Sequence, residues 1–231
     1  MKNKVYWTDK ALHFNKYYSN SGTFSIKAFV SKFLYCRTNA IMSLISPVCS
    51  KAMLDVGCGS GIHIKMALSR FKRVVGMDIS GEMLINARKR LSGVERDKYE
   101  LLLWDAEKNF PFKSNKFDVV ISIGLLDYVN PKTVLLECKR VLNKDGFIIF
   151  TLPKRPSIFF FLRGYLGNLI RKNLLDLPHI ENIANKKGLY SLIKECGFEP
   201  LCIKSVWTTM WVVKAKNSED KLGPNLPSTK A

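Results

Sequence analysis

From residue 51 onward the chain alternates between two spacings of its apolar positions. Short continuous apolar runs stand at 51–56 (KAMLDV), 73–80 (RVVGMDIS), 99–106 (YELLLWDA), 116–124 (KFDVVISIG) and 145–153 (DGFIIFTLP). Such runs read as strands buried on both faces. Between and after them, 61–71 (GIHIKMALSRF), 80–91 (SGEMLINARKRL), 131–142 (PKTVLLECKRVL) and 185–198 (NKKGLYSLIKECGF) carry apolar residues at helical spacing. Ser80 stands where an N-cap is wanted, and Pro131 falls in a first helical turn. The segments 199–207 (EPLCIKSVW) and 208–216 (TTMWVVKAK) read as two strands meeting at a turn, an antiparallel edge hairpin. The alternation predicts an α/β, mostly parallel sheet with helices on both faces.

The flanks depart from this rhythm. Residues 1–48 read as two helical segments: an aromatic-rich stretch at 7–20, and a stretch at 24–45 with Phe29, Phe33, Leu34, Ile41, Leu44 and Ile45 on one stripe. We expect residues 1–48 to form an N-terminal helical cap or lid and 49–216 the main domain, in which 153–185 is an insertion over the substrate site. Residues 217–231 hold few core-forming side chains and are expected to be a disordered tail.

Composition narrows the class. The N-terminal ten residues are charged and lack the apolar core of a secretory signal, and the densest apolar patch, 157–162, is too short to span a bilayer. A cytoplasmic protein is expected. The six cysteines show no C-x-x-C pairing, so we expect reduced thiols and no bound metal. The net charge of +18 admits a polyanionic partner, but 27 of the 37 basic residues are lysines spread along the chain with no block of five. That distribution predicts no stable nucleic-acid complex, and at most weak association with an anionic membrane or acidic substrate. The oligomeric state stays open.

The chemistry sits at 54–63, LDVGCGSGIH, where Gly57, Gly59 and Gly61 alternate behind a strand that ends in an acid, Asp55. A glycine turn between strand and helix lets backbone approach a ligand. The dinucleotide pattern G-x-G-x-x-G fails at Ile62, and the phosphate-loop lysine is absent. The D-x-G-x-G-x-G spacing resembles motif I of the class I S-adenosylmethionine-dependent methyltransferases, in the small-molecule branch of methyltransferase type 11. Later marks agree in order: Asp78 closing the second strand 17 residues after Gly61, Trp104-Asp105 closing the third, FDVVISIGLLDYVNP at 117–131, and the glycine turn at 145–146.

The resemblance implies a Rossmann-like seven-stranded sheet and S-adenosylmethionine as cofactor, with S-adenosylhomocysteine as product. It implies cofactor contacts at Asp55, facing the ammonium directly or through water, and at Gly57, Cys58, Gly59 and Gly61. It further implies Asp78 accepting from the ribose hydroxyls, with Ile79 and Met83 beside it, Trp104, Asp105 and Ala106 at the adenine, and Ile123. Cys58 and Ser60 are expected to offer backbone amides only, His63 to cap or pack, and Asp118 to be structural. Candidate catalytic bases are His179 and His13, and Tyr17, Tyr18 and Tyr128 are candidate substrate contacts. The expected reaction is methyl transfer to oxygen, nitrogen or carbon of a small metabolite, natural product or lipid-like acceptor. Two alternatives are an RNA methyltransferase, which the absence of an [ND]PP[YF] tetrapeptide disfavours, and a non-catalytic binding subunit, which the intact acids disfavour.

Overall fold

A computed structural model describes residues 26–45, 50–154, 182, 184–206 and 209–218. Its elements in chain order are α1 (Ile26–Leu44), β1 (Ser50–Val56), α2 (Ile62–Ala67), β2 (Phe71–Asp78), α3 (Gly81–Arg90), a 3₁₀ turn (Arg96–Lys98), β3 (Tyr99–Leu103), β4 (Phe117–Ser122), α4 (Pro131–Val141), β5 (Leu142–Pro153), α5 (Lys186–Glu195), β6 (Phe198–Val206) and β7 (Met210–Asn217). The seven strands form one sheet in the order β3-β2-β1-β4-β5-β7-β6. All pairs are parallel up to β5, and β7 lies antiparallel to both β5 and β6. The expected α/β sheet with an antiparallel edge hairpin is what the chain adopts.

Strand residues alternate between two cores. Leu54, Val75, Val120 and Ile148 join one, covered by α4 and α5 through Val134, Leu135, Leu189 and Ile193. Met53, Val74, Val119 and Ile149 join the other, with Ile41 and Ile45 of the α1 end, Ile64 of α2 and Leu84 of α3. Both faces are therefore apolar, as the unbroken runs predicted. Among the described residues no helix is long and apolar enough to cross a membrane.

Four expectations are corrected. First, α1 is no separate cap. It shares a core with the central strands, and its C-terminal carbonyls are tied down by two cations. Arg70 Nη1 donates to Met42 O (2.8 Å) and Ile45 O (3.1 Å), and Lys214 Nζ donates to Leu44 O (2.8 Å). Second, α2 stops at Ala67, short of the expected residue 71, because Arg70 turns toward α1 and Phe71 already pairs with Ser50. Third, β5 starts at Leu142, directly after α4, and residues 143–146 bulge between the Phe117–Leu142 and Val119–Phe147 pairs. Gly146 is needed there, since a Cβ would stand 2.9 Å from Asn143 O and 3.0 Å from Asp118 O. Fourth, ordered structure runs past 216. Asn217 Nδ2 donates to Asn143 O (3.1 Å), and Ser218 O accepts from Lys139 Nζ (3.0 Å).

Asp118 is a strut: its carboxylate accepts from Ala52 N and from Asn143 Nδ2, both at 2.8 Å, tying β1 and the bulge to β4. Ser80 and Asn130 cap α3 and α4, accepting from Met83 N and Thr133 N.

Candidate active site

The loop after β1 answers why three glycines alternate there. Gly57, Gly59 and Gly61 all have left-handed backbones, with φ of 75°, 52° and 73°. Gly57 N and Cys58 N both donate to Met77 O, at 2.8 and 3.0 Å, and Gly59 N donates to Asp78 Oδ2 at 2.8 Å. Arg90 Nε holds the far side through Ser60 O (2.8 Å). Gly76 in β2 makes room for this packing, because a Cβ there would collide with Ile64 Cδ1 and stand 2.9 Å from Cys58 Sγ. The amides at 57–59 are thus consumed inside the protein, and the expectation that Cys58 offers its amide to a ligand is corrected. A phosphate cradle keeps such amides free. This loop suits a ligand without phosphate.

Two acids flank the loop. Asp78 accepts at Oδ2 from Gly59 N and at Oδ1 from Ser80 N (2.9 Å). Burial pushes its carboxyl up and these hydrogen bonds pull it back. Asp55 lies between Gly76 and Ile121 near the end of β1, 1% exposed, with no hydrogen-bond partner at Oδ2. Burial, and then the neighbouring Asp78, push its carboxyl up to about 8.

An acid raised this way destabilises the free protein over a defined window. Between the ordinary 3.8 and about 8, the unfolded chain releases a proton that the folded chain keeps, so stability falls as pH rises. Asp55→Asn has no such proton. Its stability relative to the parent is therefore expected to grow from about pH 4 to about pH 8 in denaturant titrations without ligand. A constant difference across that range would show that Asp55 is ionised in the folded protein.

The loop opens onto a groove at the C-terminal ends of β1, β2 and β4 and the segment after β3. Of the twelve positions expected to meet the cofactor, ten line it. Gly57, Cys58 and Gly59 come from the loop, Asp78, Ile79 and Met83 from the β2–α3 junction, Trp104, Asp105 and Ala106 from the segment after β3, and Ile123 from the end of β4. The two exceptions have physical reasons. Asp55 is buried away from the groove surface, and Gly61 serves helix packing, since a Cβ on it would stand 3.0 Å from Ala87 Cβ of α3.

Local bonds fix the segment after β3. Trp104 Nε1 donates to Asn109 O (3.1 Å), and Asp105 Oδ1 accepts from Glu107 N (3.0 Å). Arg140 and Glu137 of α4 hold its continuation. Arg140 donates to the carbonyls of Phe112 (2.8 Å) and Phe110 (3.1 Å), and Glu137 accepts from Phe110 N (2.6 Å).

The opposite wall was missed by sequence reasoning. It is built by Arg37 of α1, His63 of α2 and the turn after β4, from which Gly124, Leu125, Tyr128 and Val129 line the groove. The sequence signal for Arg37 is a lone basic residue on the buried stripe of α1, between Leu34 and Ile41. His63 packs, as expected, but also lines the groove. Its Nε2 has no hydrogen-bond partner, and burial, then the Arg37 charge, push its imidazole down to about 3, so it is neutral. Tyr128, a candidate substrate contact, lines the same groove. His13, Tyr17, Tyr18 and His179 lie outside the described residues.

Comparison with known proteins decides the class. A family model described as a methyltransferase domain matches residues 54–150, which run from the end of β1 to β5. Those residues carry the class I methyltransferase-like fold and are similar in sequence to a methyltransferase domain. Among curated relatives, a demethylmenaquinone methyltransferase of Oceanobacillus iheyensis is 29% identical over 170 residues, covering 66% of this chain and 71% of the relative. One from Clavibacter sepedonicus is 32% identical over 145 residues, covering 57% and 58%. Among solved structures, magnesium protoporphyrin IX methyltransferase from Synechocystis with bound S-adenosylhomocysteine superposes with a TM-score of 0.70 at 14% identity, over 94% of this chain and 99% of that one. Geranyl diphosphate C-methyltransferase from Streptomyces coelicolor gives 0.68 at 14% identity, over 94% and 96%. At these identities the methyltransferase structures share the fold.

Proposed function

We propose that this chain is an S-adenosylmethionine-dependent methyltransferase that moves the donor methyl to a small-molecule acceptor, a metabolite or lipid-like compound, at oxygen, nitrogen or carbon. The observation that carries the reading is the convergence of the glycine loop, Asp78 and Trp104-Asp105 on one groove. The small-molecule class is supported by the relatives, which are named for demethylmenaquinone.

The residues present fit the cofactor. Its ammonium matches a site with buried acids and no free amide nest, and Asp55 offers an unpartnered oxygen nearby. In this reading Asp78 takes the ribose hydroxyls and Trp104, Asp105 and Ala106 the adenine, with Met83 and Ile79 as apolar floor. Arg37, the one permanently cationic group lining the groove among the described residues, takes the carboxylate of the amino-acid end. Bound there, the cofactor supplies a methyl group made electrophilic by a sulfonium. The protein's own work is to position the acceptor, exclude water and receive a proton where the acceptor carries one. For the acceptor we propose Tyr17, Tyr18 and Tyr128 as contacts and His179 or His13 as the base.

Calorimetry tests the reading. The chain is expected to bind S-adenosylhomocysteine with micromolar-scale affinity and, in a labelled-methyl assay, to methylate a small acceptor, with demethylmenaquinone in both redox states tried first. No heat of binding at high ligand concentration would end it. Arg37→Gln should weaken S-adenosylhomocysteine by about 10- to 100-fold, since a charge-assisted hydrogen bond is lost. The same change should leave methylthioadenosine, which lacks the carboxylate, unaffected. Equal losses for both ligands would remove the carboxylate assignment.

A further inference from the structure

The turn after β4 forms one wall of the groove without belonging to a helix or strand. Ile123, Gly124, Leu125, Tyr128 and Val129 line the groove from it. Backbone in such a turn needs hydrogen-bond partners from elsewhere. Its donors find them in three places. Gly124 N donates to Thr151 Oγ1 of β5 (2.8 Å), Asn130 N to Glu107 Oε1 (3.0 Å), and Tyr128 N to Leu125 O within the turn (2.9 Å). Three of its carbonyls are met by one residue far away in sequence. Asn182 Nδ2 donates to Leu126 O (3.0 Å) and Val129 O (2.6 Å), and Asn182 N donates to Asp127 O (3.4 Å).

Asn182 grips the turn from a fixed base. Two residues on, Ala184 forms a bridge with Lys154 just past β5. Ala184 N donates to Pro153 O (3.0 Å), and Ala184 O accepts from Trp211 Nε1 of β7 (3.1 Å). The side chain suits the task. A carboxamide nitrogen carries two hydrogens, so it can serve two carbonyls at once, which a hydroxyl cannot. The two carbonyls it takes, at Leu126 and Val129, bracket Asp127 and Tyr128, and holding both sets the curvature of the turn.

That curvature reaches the glycine loop by contact. Leu125 precedes the gripped Leu126, and its side chain stands over Gly57, since a Cβ on Gly57 would lie 3.0 Å from Leu125 Cβ. Gly57 N and Cys58 N in turn hang from Met77 O. The turn's attachment to the fold does not need Asn182, because Leu126 is fully buried in the core under α4 and α5. Asn182 is half-buried, so water can replace it at the carbonyls. Its contribution is to the pose of the turn and not to the existence of the core. We propose that Asn182 is a positioning residue for methyl transfer: by holding the turn after β4, it keeps Leu125 seated on the glycine loop in the shape that takes the cofactor. This rests on the reading of the groove as the cofactor site given above.

The experiment is calorimetric titration of S-adenosylhomocysteine into the parent chain, Asn182→Ala, Leu125→Ala and the double variant. Asn182→Ala removes both side-chain donors and adds no charge. It should weaken binding about tenfold, while thermal unfolding stays cooperative. Leu125→Ala cuts away the side chain through which the turn meets the loop. In that background Asn182→Ala should weaken binding about twofold or less, because the contact it positions is gone. A residue that merely supports the fold would weaken binding by the same factor in both backgrounds. If Asn182→Ala does not fold, Asn182→Ser takes its place, since it keeps one donor. A loss of about threefold in the parent background, and none in Leu125→Ala, is then expected. Near-parental affinity in the Asn182 variant, or equal losses in both backgrounds, would overturn the proposal while leaving cofactor binding intact. No binding by the parent would instead sink the reading beneath it.

Discussion

Gly57→Val is expected to abolish S-adenosylhomocysteine binding while leaving a folded protein. Gly57 has φ of 75°, in the region where a β-branched residue is most strained. A Cβ there would stand 3.0 Å from Leu125 Cβ and 3.2 Å from each Leu125 δ-carbon, and Leu125 lies on the turn that forms the facing wall of the groove. The backbone strain and the overpacking together are worth about 2–4 kcal/mol. The least costly relaxation moves the loop, because the strands below it are buried on both faces. That movement breaks the pair of bonds from Gly57 N and Cys58 N to Met77 O and shifts Gly59 off Asp78. The groove loses its shape, and the core does not. Thermal unfolding should remain cooperative at a lower midpoint, and calorimetry should show no binding. Gly59→Ala is the control. Nothing stands within 4 Å of a Cβ at Gly59, so only the left-handed backbone is penalised, and binding should survive in weakened form. Near-parental affinity in Gly57→Val would place the cofactor elsewhere.

The contrast between these glycines shows what a sequence can carry. The alternation of glycines behind Asp55, the order of acids at 55, 78 and 105 and the continuous apolar strands were all legible, because they are local or fall at strand ends. Ten of the twelve expected contacts lie on one groove for that reason. What was not legible is tertiary. The three glycines look alike in sequence, yet Gly61 packs α2 on α3 while Gly57 makes room for Leu125. Gly76, an isolated glycine within a strand, is what allows Ile64 and Cys58 to seat the loop. The use of the loop amides by Met77 O and Asp78 depends on the sheet's stagger, which no spacing rule states. Arg37 entered the site because α1 joins the main core, and its apolar stripe alone could not say which surface that stripe meets. The end of α2 at Ala67 was set by Arg70 reaching carbonyls far away in sequence, a contact that overrides helical spacing.

Asp78→Ala should weaken S-adenosylhomocysteine by about 1.5–3 kcal/mol, about 10- to 150-fold in affinity. Two causes are mixed in that number, and they can be separated. Asp78 is a strut, because its two oxygens hold Gly59 N and Ser80 N, fixing the loop against the start of α3. In the proposed reading it is also the acceptor for the ribose hydroxyls, using the remaining lone pairs of the same oxygens. Asp78→Asn keeps the size but must turn an NH₂ toward one of the two backbone donors. It should therefore lose nearly as much as alanine by the strut cause alone. A ligand lacking the ribose 2′-hydroxyl isolates the second cause. Removal of that hydroxyl should weaken binding to the parent, where a charged acceptor is left with one partner fewer, and should cost little more in Asp78→Ala, where the acceptor is already gone. The difference between the two losses is the coupling between carboxylate and hydroxyl, expected at about 1–2 kcal/mol for a charge-assisted bond. If the deoxy ligand is penalised equally in both proteins, the carboxylate and the ribose do not meet. Asp78 would then act on the cofactor only through the loop it holds, and the ribose would have to be sought at Asp105 or Glu107, the other acids on the groove wall.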